Sequence, residues 1–145
     1  MARCAAGGRG VTTVPDPDQG PNLYCSAVGG IRLIEVGVFN TTTSAVCVGL
    51  VLATTAGTKA GSITPVCEDD PSYAVKGTVN TSQSAGATVG AAVRQASLGA
   101  AIGSGVIWTF GPHGVWRDQG TGNGFVINCP TGTGQFLDFY WCWEE

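Results

Sequence analysis

The sequence predicts an all-β protein: a jelly-roll-like antiparallel β-sandwich preceded by an extended N-terminal arm. Three observations lead there. Gly contributes 23 of the 145 residues and Thr 16, while only 12% are charged; such a composition disfavours helices and suits short strands joined by tight turns. β-Rich runs recur at intervals of about 8–15 residues with turn residues between them, and no repeat of about 20–50 residues underlies them. The third observation is the stretch from Phe125 to Glu145. Phe125–Cys129 and Gln135–Trp143 flank the turn Pro130–Gly134 and read as a hairpin. In the second run Leu137, Phe139, Trp141 and Trp143 fall on one face, and Phe136, Asp138, Tyr140 and Cys142 on the other. A surface strand alternates apolar with polar; this one is apolar on nearly both sides, which predicts two covers, one from a second sheet and one from another subunit.

A chain of this length suits one domain and buries roughly two-thirds of its unfolded surface. Residues 1–30 are read as the arm and 31–145 as a single β-sandwich domain. In the arm, Pro15, Pro17 and Pro21 remove backbone donors and argue against a ladder. The domain opens with a strand in which Ile34, Val36 and Val38 alternate with Glu35 and Gly37, ending at Phe39-Asn40. After the turn Asn40–Ser44, Val46, Val48, Leu50 and Leu52 share one face, with small Ala45, Cys47, Gly49 and Ala53 opposite. Thr54–Gly61 reads as a loop, and Ser62–Cys67 as a short edge interrupted by Pro65. Tyr73, Val75, Gly77 and Val79 then alternate with polar neighbours in a half-exposed strand. Between Ala85 and Gly103 alanines favour helix and glycines oppose it; the balance falls to a strand over Val89–Leu98 followed by a loop. Val106–Phe110 is a strand that Gly111–Gly114 turns into Val115–Arg117.

Charge excludes one class of partner. The formal charge is −3, and the seven basic residues are dispersed without a stripe, which argues against nucleic acid. No run approaches the 18 or so uninterrupted apolar residues of a membrane span. The start lacks the apolar core of a secretory signal, so the chain is expected to fold in the cytoplasm that makes it. In that compartment Cys4, Cys25, Cys47, Cys67, Cys129 and Cys142 are expected to be mostly reduced and packed as small apolar residues; one or more bridges formed after release is the alternative.

The search for chemistry gives little. The single histidine, His113, sits between Pro112 and Gly114 and reads as a turn residue. No short Cys or His pair suggests zinc. Glu68-Asp69-Asp70 and Asp16/Asp18 carry enough carboxylates to invite calcium but lack a ligand-loop signature and read as solvated turns. Glu35 and Asp138 are the best-placed carboxylate pair for glycoside hydrolysis; a structural ion pair of Asp138 with Arg94 or Arg117 outweighs that use. The two Gly-Thr-Gly elements at 120–122 and 132–134 lack the context of a phosphate loop and read as turns. No catalytic, cofactor or metal residues are therefore assigned. The tryptophans offer either a sugar-binding platform or core and interface packing, and Trp108, Trp116, Phe139, Trp141 and Trp143 are assigned to an oligomer or capsid interface.

Several phrases of the chain resemble small β-rich virion proteins of tailed bacteriophages, those of actinobacteria above all. They are Ile34–Thr42, Leu52–Thr58, Gly105–Gly111 and the ending from Pro130 to Glu145. The resemblance covers residues 31–145 and includes no active-site motif. It implies a non-enzymatic structural protein of the virion, a head decoration protein that sits on the shell as a trimer and binds the major capsid protein. A virion-surface carbohydrate- or receptor-binding module, or a tail or fibre part, is the alternative.

Overall fold

The computed structural model describes residues 1–12, 19–25, 29–117, 123–131 and 135–145. Two antiparallel sheets enclose one core. The strands are β1 (Arg3–Thr12), β2 (Asn22–Cys25), β3 (Ile31–Asn40), β4 (Val46–Ala53), β5 (Thr58–Ile63), β6 (Val66–Cys67), β7 (Gly77–Ala85), β8 (Val89–Leu98), β9 (Gly105–Thr109), β10 (Val115–Arg117), β11 (Gly124–Thr131) and β12 (Phe136–Glu144). Sheet A runs β10-β3-β12-β1-β6, with β9 also paired to β3; sheet B runs β5-β7-β2-β11-β4-β8. β9 and β10 form one interrupted edge along β3, because Gly105–Thr109 pairs with Phe39–Glu35 and Val115–Arg117 with Leu33–Ile31. The interruption turns on Gly111 and Gly114, whose φ angles of 51° and 56° favour glycine.

The inward faces follow the expected alternation, with one local departure. Val46, Val48 and Leu50 of β4 are buried against Phe125 and Ile127 of sheet B and against Val36, Val38 and Trp141 of sheet A. In β3, Leu33 pairs with Trp143 and Glu35 with Cys142, so Ile34 is an extra residue in a β-bulge. The bulge puts Ile31, Leu33, Val36 and Val38 inward and leaves Ile34 half-buried, where strict alternation would have buried it.

Residues 1–30 are not an arm apart from the domain. β1 lies between β12 and β6, and β2 lies between β7 and β11. The reason is size complementarity: Cys4 and Ala6 stand opposite Trp143 and Trp141, where larger side chains would compete with the indoles for the same space. Pro15 and Pro17 lie outside the described residues, and Pro21 precedes β2.

The expected terminal hairpin is also replaced. β11 pairs with β2 and β4 in sheet B, whereas β12 pairs with β1 and β3 in sheet A, so the connection crosses the sandwich. Both strands are central in their own sheets, which suits their apolar character better than a two-stranded ribbon does. Tyr73 and Val75 pack against the core ahead of β7 and lie outside a strand. Thr58–Gly61, read as loop, belongs to β5.

One disulfide is present. Cys4 and Cys67 face each other across β1 and β6 with Cα atoms 4.1 Å apart and join there, while Cys25, Cys47, Cys129 and Cys142 form no disulfide. The expectation of mostly reduced cysteines thus fails at Cys4 and Cys67, which strand pairing brings together over a separation of 63 residues.

Candidate interaction surface

The two outward faces of the sandwich are finished differently. On sheet B, Val51, Ala53 and Val126 point outward and are covered by Ala87 in a small second cluster. The covering segments are tied down: the Thr54 N–H donates to Thr88 O (2.9 Å), the Thr88 N–H to Thr55 Oγ1 (2.8 Å), and Asn22 Nδ2 to Ala56 O (3.0 Å).

The outward face of sheet A is built from cross-strand rows. Ile107, Gly37, Tyr140 and Gly7 form one row, and Thr109, Glu35, Cys142, Ala5 and Val66 the next. Trp116, Arg32, Glu144 and Arg3 form a third. Among the described residues the large apolar side chains most exposed to solvent are Met1, Val66, Ile102, Ile107, Trp116 and Phe136. Val66, Ile107, Trp116 and Phe136 project from this face, and the Met1 sulfur accepts from Arg32 Nη2 on it.

Glycine keeps the middle of the face flat. A Cβ at Gly37 would collide with the Tyr140 ring, which lies across it. Tyr140 stacks on Phe39 with ring centroids 6.4 Å apart, and its hydroxyl donates to Glu35 Oε1 at 2.7 Å. Burial first, then the bond to Glu35, pushes this phenol up to about 12 from an ordinary 10.0.

The charges of the face pair within the chain. Arg3 meets Glu68 at 3.2 Å, Arg9 meets Asp138 at 3.6 Å, and Arg32 meets Glu144. Two hollows open between them. One, of 510 Å³, is lined by Arg9, Thr41, Thr42, Phe136 and Asp138; the other, of 360 Å³, includes Arg3, Ala5, Gly7, Glu35, Tyr140 and Cys142. Arg3 Nε donates to Cys142 Sγ in the second (3.3 Å).

Against this surface the residues assigned to an interface divide. Phe139, Trp141 and Trp143 point inward and are 3%, 0% and 0% exposed, so they belong to the core of a single chain. That corrects their assignment to a seam: β1, β3 and sheet B supply the cover expected from a neighbour. Trp108 is half-buried and packs on the same core. Trp116 alone of the five is at the surface, 48% exposed. The exposed side chains left out of that assignment are Ile107, Val66 and Phe136. The alternation of Val106–Phe110 around Trp108 would have placed Ile107 outward.

The residues weighed for chemistry do not converge. Glu35 stands opposite Cys142 and Asp138 opposite Phe39. Four residues along β12 separate these positions, about 13 Å, beyond the roughly 5–9.5 Å of a glycosidase pair. Asp138 meets Arg9; Arg94 instead lies 5.5 Å from the Phe110 ring, and Arg117 donates to Ala53 O at 2.6 Å. In the acidic turn, Asp69 accepts from the Arg3 N–H (3.0 Å), and Asp70 is held below its ordinary range by hydrogen bonds from Ser72. His113 is exposed in the β9–β10 turn. Among the described residues no group of three or more His, Cys, Asp or Glu could hold a metal ion. Asp16, Asp18 and both Gly-Thr-Gly elements lie outside them. No helix of the described residues is long and apolar enough to cross a membrane.

Comparison with protein-family models, with curated proteins and with solved structures finds no match.

Proposed function

We propose that this chain is a non-enzymatic structural protein of a bacteriophage virion, most specifically a head decoration protein that self-associates and binds the major capsid protein at the shell surface. The observation that carries the reading is the finish of sheet A. Its outward face exposes Val66 at the β6 edge, Ile107 and Trp116 at the β9/β10 edge and Phe136 at the start of β12, while its charges are paired within the chain. Large aromatic and aliphatic side chains set on one outward face suit a contact surface, and a rigid sheet docks with little loss of conformational freedom. The phrases that resemble phage virion proteins lie largely on the frame of this face: Ile34–Thr42 on β3, Gly105–Gly111 on β9, and the ending on β12. A jelly-roll order of the strands belongs to the same proposal through that resemblance, which for its part implies a trimeric state.

Purified particles made by the genome that encodes the chain test the reading. Quantitative mass spectrometry should find it at hundreds of copies per particle, and stripped shells should take the purified protein back. A handful of copies favours the tail or fibre alternative, and absence from particles refutes a virion role.

A further inference from the structure

We propose that the outward face of sheet A binds the same face of a second copy across a two-fold axis parallel to β12. The argument takes from the reading above only that the chain self-associates. The face is lopsided in a way that complements itself. Its β9/β10 side carries the protruding Ile107 and Trp116, 52% and 48% exposed. Its β1 side carries Gly7 in the row of Ile107 and Arg3 in the row of Trp116, with Ala5 and the edge residue Val66 in the row between them, beside the 360 Å³ hollow. A two-fold axis parallel to the strands exchanges these sides and preserves the rows. Ile107 of one copy then comes over Gly7 of the other, with Ala5 in the next row, and Trp116 comes over Arg3, an arrangement that favours a cation–π contact. Each contact occurs twice, as an isologous interface requires.

Charge and area support a second copy over a foreign partner. Arg3, Arg9 and Arg32 against Glu35, Glu68, Asp138 and Glu144 leave the face one negative charge from neutral, so two such faces repel little. The ion pairs are already made within each chain, and no charged stripe is left for an oppositely charged partner. Strands about 4.8 Å apart with about 3.3 Å per residue, over β9 with β10, β3, β12, β1 and the short β6, give a face of roughly 600 Å², at the lower end of the ~600–1,000 Å² per partner of a specific interface. Sheet B shows the contrast: there the chain's own Ala87 covers the outward apolar residues.

An isologous contact joins copies in pairs, so it predicts a dimer where the resemblance implies a trimer. Light scattering coupled to size exclusion at micromolar concentration reads the mass. Ile107→Glu sets a carboxylate over the hollow that already holds Glu35 and borders Glu68. Ala5→Trp fills that hollow from its own chain. Each should weaken the dimer at least thirtyfold, roughly the effect of losing a central contact, with an unchanged β-rich circular dichroism spectrum. Ile102→Glu, exposed in the turn after β8, should leave the mass unchanged. A monomer, a trimer, or a dimer that survives both variants overturns the proposal. A trimer would leave the decoration reading intact, since that reading is decided on particles.

Discussion

Replacing Trp143 by Ala separates a core role from a seam role. The side chain is fully buried, and its Nε1–H donates to Glu145 Oε1 at 2.8 Å. The same carboxylate accepts the backbone N–H groups of Lys76 (2.8 Å) and Gly77 (2.6 Å), so the indole, the end of β12 and the start of β7 are one unit. Gly77 has no room for a Cβ, which would lie 2.9 Å from the indole. Emptying a buried Trp site costs about 3–5 kcal/mol. Unfolding entropy of about 2.1 cal/mol/K per residue gives this chain roughly 0.3 kcal/mol/K, so the melting temperature should fall by about 10–16 °C. Glu145→Ala keeps the indole but strips three donors of their acceptor, which should cost about 2–4 kcal/mol. Together the two substitutions should cost less than the sum of the single losses, because they break one shared bond. Urea and thermal unfolding followed by circular dichroism measure all of this. A Trp143→Ala protein that melts within a few degrees of the parent and changes only its oligomeric mass would refute the core placement.

Three further outcomes follow from particular contacts. Reduction of the Cys4–Cys67 bridge, or Cys67→Ala, should lower stability by up to about 4 kcal/mol, the loop-closure value for a separation of 63 residues; identical melts with and without reductant would mean the bridge is absent in solution. Tyr140 holds its proton more tightly folded than unfolded, so its stabilisation is complete below pH 10 and disappears as pH rises towards about 12. Tyr140→Phe should flatten that part of the melting curve against pH, and an unaltered slope would count against the Glu35 contact. Gly37→Ala should destabilise by about 1–3 kcal/mol by displacing the Tyr140 ring; a neutral result in chemical denaturation would show that the ring moves freely.

Much of the framework was legible because periodicity records burial directly. Val46, Val48 and Leu50 face the core, and the strand over Val89–Leu98 has the bounds its residues suggested despite the competing alanines. What escaped was pairing. β1 has few β-forming residues in Arg3–Gly8, yet it is a central strand, because its small side chains fit against Trp141 and Trp143. That complement becomes visible only once the partner strand is known. The terminal hairpin failed for a related reason: a turn signal says that the chain reverses and leaves open whether it returns to the same sheet. Ile34 was misplaced by a bulge, which strict alternation does not anticipate.

The candidate surface was half legible, and the missing half is a question of which face lacked its cover. Strand β12 is apolar on both sides, and the large indoles drew attention to one of them. Those indoles are the residues a single chain covers best, since each gains most by entering the core. The opposite face carries Phe136, Asp138, Tyr140 and Cys142, smaller in apolar area and mixed with charge. There the chain supplies only partial cover: Tyr140 folds down over Gly37, Arg3 reaches Cys142, and Phe136 remains 47% exposed. A strand that needs two covers shows its unmet need on the weaker face, where neighbouring strands have filled what they can. That is the side of β12 on which Val66 of β6 also emerges, together with Ile107 and Trp116 of β9 and β10 about forty to fifty residues further along the chain, and no local pattern announces that they share a face.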